Sequence, residues 1–298
     1  MHADEVLVPL PLVKRLIADQ FPQWKHLSIT PVPYSGTDNA IFRLGENMVV
    51  RLPRIHWAAA KVHKEHTWLP VLAPNLPLRV PTPLGKGVPT FGYPWPWAVH
   101  EWLDGQNAIE AAVNDPVAAA LDLAAFISTL HGLELPSQTP APSGNRGGPL
   151  EDRDADVRAA IASLEGEVDV PKVTASWESA LDVPPYQGKP VPIHADITPG
   201  NILVKDGKIT AVIDFGELTT GDPACDLMLA WNYLTAQTRP IFRAALSVDD
   251  ATWARGRGWA LSVALIALPY YLNTNPQIVT TSRRTIHEIL QDHPHSPT

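Results

Sequence analysis

The chain has 298 residues, 45% of them apolar and 18% charged; that is enough for one large or two modest domains and too apolar for global disorder. A single cysteine, Cys225, excludes an intrachain disulfide and suits a reducing compartment. The net charge of −8 is uneven: residues 1–98 carry 10 basic against 6 acidic side chains and the remainder 13 against 25, so the acidic second half argues against a nucleic-acid partner. It would suit a cationic small molecule, or serve solubility alone.

The N-terminus, MHADEVLVPL, lacks the basic start and long apolar core of a secretion signal. The longest apolar stretch, Trp259 to Leu272, is too short to span a bilayer. A cytoplasmic protein without a membrane partner is expected. Oligomeric state is not legible.

Residues 8–21 read as an amphipathic packing helix opened by Pro9 or Pro11, with Leu12, Leu16 and Ile17 on one face. Strand-like runs follow at Ser28–Tyr34, Ala40–Leu44 and Met48–Leu52. The loop between the first two, Ser35-Gly36-Thr37-Asp38-Asn39, can turn backbone N–H groups and a hydroxyl toward phosphates, or be a plain hairpin turn. Arg51 alternates onto the same face as Val49, and a charge on a half-buried strand needs a partner. Glu65, in the helical pattern Ala58–Leu72, is the candidate. A proline-rich passage then favours short extended segments. The strand Ala98–Leu103 breaks at Asp104-Gly105, where composition and charge change, so a lobe boundary is placed near residue 103. Trp95, Trp97 and Trp102 are expected to pack at the seam between lobes rather than on a base.

Residues 115–132 form a helix capped by Asp115, with Pro116 in its first turn and Gly132 at its end; His131 is read as structural. Acids at Glu151, Asp152, Asp154 and Asp156 open a further helix. They are a solvated face favoured by the helix dipole or, alternatively, a site for ammonium groups.

The stretch 192–217, PIHADITPGNILVKDGKITAVIDFGE, concentrates the chemistry. Asp196 sits in His194-Ala195-Asp196, Asn201 follows five positions later, and Asp214 opens Asp214-Phe215-Gly216 after a hairpin turning at Asp206-Gly207. Phosphoryl transfer asks for this set: one carboxylate to orient a hydroxyl and accept its proton, and an amide oxygen and a second carboxylate for magnesium. His194 is expected to brace the backbone. Asp222 reads as an N-cap with Pro223 behind it, opening a helix to about Ala236, and Asp226 as a buttress of the loop at Asp196 through backbone N–H groups. Cys225 is expected to be an inert core residue.

At His194–Asn201, Asp214–Gly216 and Gly221–Leu227 the sequence resembles the aminoglycoside phosphotransferase family of the kinase-like fold, which includes macrolide, choline and homoserine kinases. The resemblance implies an α+β, bilobal, protein-kinase-like fold. A small, mainly β, nucleotide-binding N-lobe would span 1–103, and a larger helical catalytic and acceptor-binding C-lobe 104–298. Asp196 would be the catalytic carboxylate. Asn201 and Asp214 would hold Mg²⁺. Ser35, Gly36, Thr37, Asn39, Arg51, Glu65, Glu101 and Leu103 would contact ATP or GTP, the last two from the hinge. The acceptor would be a small hydroxylated molecule: an aminoglycoside or, alternatively, a metabolite such as choline, homoserine or a sugar, or a macrolide. A nucleotide-binding pseudokinase is the rival from another class. Two departures stand out: arginine replaces the family's usual strand lysine at position 51, and the loop at Gly36 is poor in glycine.

Overall fold

A computed structural model describes residues 5–32, 38–135 and 146–292. Its chain forms two compact units, 1–104 with 211–216, and 105–210 with 217–298.

The first unit is built on a five-stranded antiparallel sheet. In chain order it holds α1 (Leu10–Gln20), β1 (Ile29–Pro31), β2 (Asn39–Leu44), β3 (Met48–Pro53), α2 (His56–Leu72), β4 (Pro83–Gly87) and β5 (Trp97–Glu101). The sheet order is β1-β2-β3-β5-β4. Pro9 caps α1 and Pro11 lies in its first turn, where a missing N–H costs nothing. Val13, Leu16 and Ile17 of α1 are buried against Phe42, Leu44, Val50, Leu52, Trp97 and Val99. Strand alternation turns Val49 and Arg51 to the opposite face, where α2 packs.

Trp97 is fully buried and meets Phe21 edge-on at 5.3 Å, and Trp95 meets Tyr93 edge-on at 6.1 Å. Both pack within the first unit's own core, where a seam between lobes was expected. Trp102 lies under the Arg43 guanidinium at 3.9 Å. The segment 211–216 joins this unit through a parallel bridge between Ala211 and Arg79, with the Val212 N–H donating to the Arg79 carbonyl at 2.9 Å.

The second unit is mainly helical. It holds β6 (Gln106–Asn107), α3 (Pro116–His131), α4 (Asp154–Ser163), α5 (Val170–Leu181), β7 (Val191–Ile193) and β8 (Ile202–Lys205). Then come β9 (Lys208–Val212, whose last two residues pass into the first unit), β10 (Thr219–Gly221), α6 (Leu229–Asn232), α7 (Arg239–Leu246), α8 (Asp250–Tyr271) and α9 (Pro276–Gln291). Asp115 caps α3 by accepting the Val117 and Ala118 N–H groups at 3.0 Å. β7 pairs with β10, and β6 with β8.

The helix expected after Asp222 is a 3-10 turn, Pro223–Met228, followed by the four residues of α6. Asp222 caps that turn through the Ala224 N–H at 2.9 Å and pairs with buried Arg255 at 2.7 Å. The apolar run from Trp259 lies in α8, with Trp259, Leu261, Leu265 and Leu268 fully buried and Pro269 inside the helix. Among the described residues no helix is long and apolar enough to cross a membrane.

Candidate active site

Two clusters hold the chemistry-bearing residues, one in each unit. In the first, Arg51 on β3 donates from Nη1 to Glu65 Oε1 of α2 and from Nη2 to Asp214 Oδ1, each at 2.8 Å. A guanidinium reaches two carboxylates from separate nitrogens, which a single ammonium does less directionally. Burial opposes the charge on Arg51, but Glu65 and Asp214 outweigh it and hold the guanidinium above its ordinary range. Burial pushes the Glu65 carboxyl up against the pull of Arg51. Asp214 has left-handed backbone (φ +63°), which aspartate tolerates better than most residues.

Lys61 of α2 pairs with Asp38 at 2.9 Å, just before β2, where Asn39 is the first residue. Ser35, Gly36 and Thr37 lie outside the described residues. Glu101, at the end of β5, accepts from Arg79 Nη2 at 2.6 Å and from Thr82 Oγ1 at 3.1 Å, while its N–H donates to the Thr82 carbonyl at 2.8 Å. Its side chain and N–H are thus committed within the unit. Leu103, two residues on, is buried.

His100 was not singled out by sequence reasoning. It lies fully buried on β5, and neither ring nitrogen has a hydrogen-bond partner among the described residues. Burial, then the nearby Arg51 charge, holds its imidazole down to about 3, against an ordinary value of 6.5. Between those values the unfolded chain binds a proton that the folded chain refuses, so stability falls as pH drops from 6.5 toward 3. The slope from this group approaches about 1.4 kcal/mol per pH unit. His100→Phe is expected to flatten the acid limb of a urea-midpoint-against-pH curve and to raise stability near pH 5. An unchanged limb would mean that His100 finds a partner in solution.

In the second unit, the loop between β7 and β8 presents Asp196. The Asp196 N–H donates to His194 Nδ1 at 3.2 Å, so His194 braces its own loop and a neutral ring carries its proton on Nε2. Ala195 has left-handed backbone (φ +64°), a conformation costing about 1–2 kcal/mol for a residue with a Cβ. Three groups hold it there. Asp226, fully buried, accepts the His194 N–H at 3.0 Å and the Ala195 N–H at 2.8 Å. Arg146 Nη1 donates to the Ala195 carbonyl at 2.9 Å. Asn232 of α6 donates to the Ile197 carbonyl at 2.9 Å. His131, at the end of α3, in turn donates from Nε2 to Asp226 Oδ2 at 3.0 Å.

The Asp196 carboxylate is gripped at both oxygens. Arg146 Nη1 donates to Oδ1, and Asn201 Nδ2 donates to Oδ2 at 3.1 Å and to the Asp196 carbonyl at 2.9 Å. With its amide nitrogen so engaged, Asn201 has its carbonyl oxygen left for a hard cation. Among the described residues no three His, Cys, Asp or Glu side chains gather into a cage. Magnesium bound with phosphate needs only one or two carboxylates and completes its shell with water and phosphate oxygens; the Asn201 amide oxygen in the second unit and the Asp214 carboxylate in the first are each oxygen donors of the kind such an ion takes. The acids of α4 are partly committed elsewhere: Asp154 accepts from Trp177 Nε1 at 2.8 Å and from Arg158 Nε at 2.8 Å. Cys225 is buried, and burial pushes its thiol well up, so it is no nucleophile.

Compared with known proteins, residues 28–259 match the model of the phosphotransferase enzyme family. Among curated protein sequences none matches significantly. The fold matches the GDP complex of an aminoglycoside 2'-phosphotransferase-IIIa mutant with a TM-score of 0.74 at 18% identity, over 93% of this chain and 96% of that one. It matches the GDP and kanamycin complex of a type IIIa aminoglycoside phosphotransferase with a TM-score of 0.68 at 19% identity, over 93% and 97%. A macrolide 2'-phosphotransferase from Brachybacterium faecium matches at 0.61 and 19% identity, over 97% and 99%. The α+β kinase-like architecture, with its sheet unit and helical unit, is therefore the fold of this chain.

Proposed function

Since this chain belongs to the phosphotransferase enzyme family, we propose that it moves the γ-phosphoryl of ATP or GTP to a hydroxyl of a small molecule, with Asp196 as the carboxylate that orients that hydroxyl. The observation that carries the reading is the grip on Asp196. Both carboxylate oxygens are fixed, and the loop that bears them is pinned by a buried aspartate. Such fixing is what a near-attack arrangement requires and what a plain turn does not.

In this reading the acceptor oxygen attacks the γ-phosphorus as the bond from phosphorus to the β-phosphate oxygen breaks, and its proton passes to Asp196. The nucleoside diphosphate leaves with the electron pair of the broken bond. Arg51 holds the α- and β-phosphates and is itself held by Glu65. Asn201 and Asp214 would hold Mg²⁺, which when bound supplies neutralisation of the charge on the phosphates. Glu101 and Leu103 are proposed to meet the base through their backbone, and Ser35, Gly36, Thr37 and Asn39 to meet the phosphates. The reading puts the protein where nucleoside triphosphates are, in the cytoplasm.

A nucleotide-consumption assay with ATP and with GTP tests this. The acceptors are aminoglycosides and macrolides, the compounds named for the solved relatives, beside hydroxylated metabolites. Acceptor-dependent consumption is expected with at least one acceptor. Nucleotide binding without turnover on any acceptor, water included, would return the protein to the pseudokinase reading.

A further inference from the structure

The loop from Asp196 to Asn201 runs Ile197-Thr198-Pro199-Gly200 and carries no cation of its own. Arg146 supplies one from fifty positions upstream. The backbone that presents it is fixed by close contact. Gly147 has φ +85°, and a Cβ there would lie 2.3 Å from Ile193 Cδ1; a Cβ on Gly221 would lie 2.4 Å from the Gly147 carbonyl oxygen. That same carbonyl accepts the Asp222 N–H at 2.9 Å. Arg146 is therefore seated against β7 and β10, the strands that flank the Asp196 loop and its buttress.

Only one nitrogen of Arg146 is used in this grip. Nη1 donates both to the Ala195 carbonyl and to Asp196 Oδ1, while Nε and Nη2 have no partner among the described residues. The side chain is 27% exposed, and the Glu217 carboxylate acts on its charge beside that of Asp196. Nε and Nη2 form the side-on edge of the guanidinium, two parallel N–H groups spaced to fit the two oxygens of a carboxylate or phosphate. A second cation shares the corner. Arg153, whose Nε donates to Ser262 Oγ at 3.1 Å, is lowered from its ordinary range by burial and by the Arg146 charge.

We propose that Arg146 is a specificity-determining residue of the acceptor subsite and selects a hydroxyl compound bearing an acidic group next to the reacting hydroxyl, such as a hydroxy acid or a sugar acid. The proposal rests on the phosphotransferase reading above and names its substrate class. The hydroxyl meets Asp196, and the neighbouring carboxylate or phosphate lies on the Nε and Nη2 edge of Arg146. The same edge offers only N–H donors, so it gives the ammonium groups of a polycation such as an aminoglycoside nothing to bind. The acidic excess of the second half of the chain pulls the other way. Exposed charges beyond about 10 Å are largely screened at 0.1 M salt, and nearby Arg146 and Arg153 are met by Asp196, Glu217 and Asp156, so selection rests on the donor geometry of the Nε and Nη2 edge rather than on net charge.

The test compares lactate, glycerate, gluconate and glucuronate with their amides, and with kanamycin, on the wild type, Arg146→Lys and Arg146→Gln. Turnover is read by nucleotide consumption and binding by calorimetry without nucleotide. Thermal midpoints verify that each variant folds. At least one acid is expected to bind about 10- to 100-fold more tightly than its amide. Arg146→Gln is expected to lower kcat for acids and amides alike, because it removes one grip on Asp196, and in addition to erase the preference by raising KM for the acid but not for its amide, with Arg146→Lys in between. A nucleotide KM that rises while the acid-to-amide ratio stays fixed would assign the free edge to the γ-phosphoryl instead and overturn the proposal. So would amides or kanamycin binding as well as every acid. Acid binding that depends on Arg146 without phosphate transfer would leave the subsite standing and remove the phosphotransferase reading.

Discussion

Asp196→Ala is expected to lower kcat by about 10²- to 10⁴-fold, the range lost when a positioned proton acceptor is removed. Nucleotide affinity should be unchanged, because the nucleotide contacts proposed above come from other residues. The structural cost should be small. The side chain is about one-quarter exposed, and Arg146, the partner it leaves, is similarly exposed and can be hydrated. Asp196→Asn separates the two roles of the carboxylate. It keeps the volume and one acceptor oxygen but cannot take up the proton, so an Asn variant as impaired as the Ala variant assigns the loss to proton transfer. Coupled-assay kinetics and a nucleotide titration on folded variants decide the matter. Wild-type-like turnover in either variant would remove Asp196 from the chemistry.

Short-range pattern carried much of this site into view from the sequence. Asp196, Asn201 and Asp214 stand out because their chemistry is tied to fixed spacing along one stretch. The strand that bears Arg51 and the helix that bears Glu65 follow from period-2 and period-3.6 burial, and a buried cation calls for a carboxylate. Asp226 was legible as a buttress because an aspartate just inside a capped turn has few other uses. Arg146 was not. It sits between a Pro/Ser-rich run and two glycines, with no periodicity to give it a face, and its partner lies 50 residues away. The same holds for His131, whose bond to Asp226 spans 95 residues. Its place at a helix end made a structural reading sufficient and concealed the tertiary partner. His100 was hidden differently. Alternation shows that a residue is buried, but not whether anything polar waits for it there. Helical propensity after Asp222 was overridden by packing: Cys225, Asp226, Leu227 and Met228 are all buried, and a tight 3-10 turn there lets Asp226 reach the His194 and Ala195 N–H groups.

That override makes Asp226 the residue on which the loop depends, and Asp226→Ala is expected to destabilise the chain by about 2–6 kcal/mol. The figure counts two buried N–H groups, those of His194 and Ala195, each costing about 1–3 kcal/mol when left without an acceptor. His131 loses its partner as well, but it is partly exposed and can turn to water. Asp226→Asn is not a rescue. Oδ1 serves Ala195 and Oδ2 serves both His194 and His131, so an amide nitrogen in the second position would face donors instead of accepting from them. Activity should fall further than stability alone explains. Ala195 is held left-handed against its own preference, and without the buttress that peptide can relax and carry Asp196 away from the hydroxyl. The two effects separate when kcat is measured well below the variant's thermal midpoint, where the folded fraction is complete. A lowered midpoint with normal kcat would make Asp226 a purely structural residue, and a wild-type midpoint would contradict the hydrogen bonds on which the loop's geometry rests.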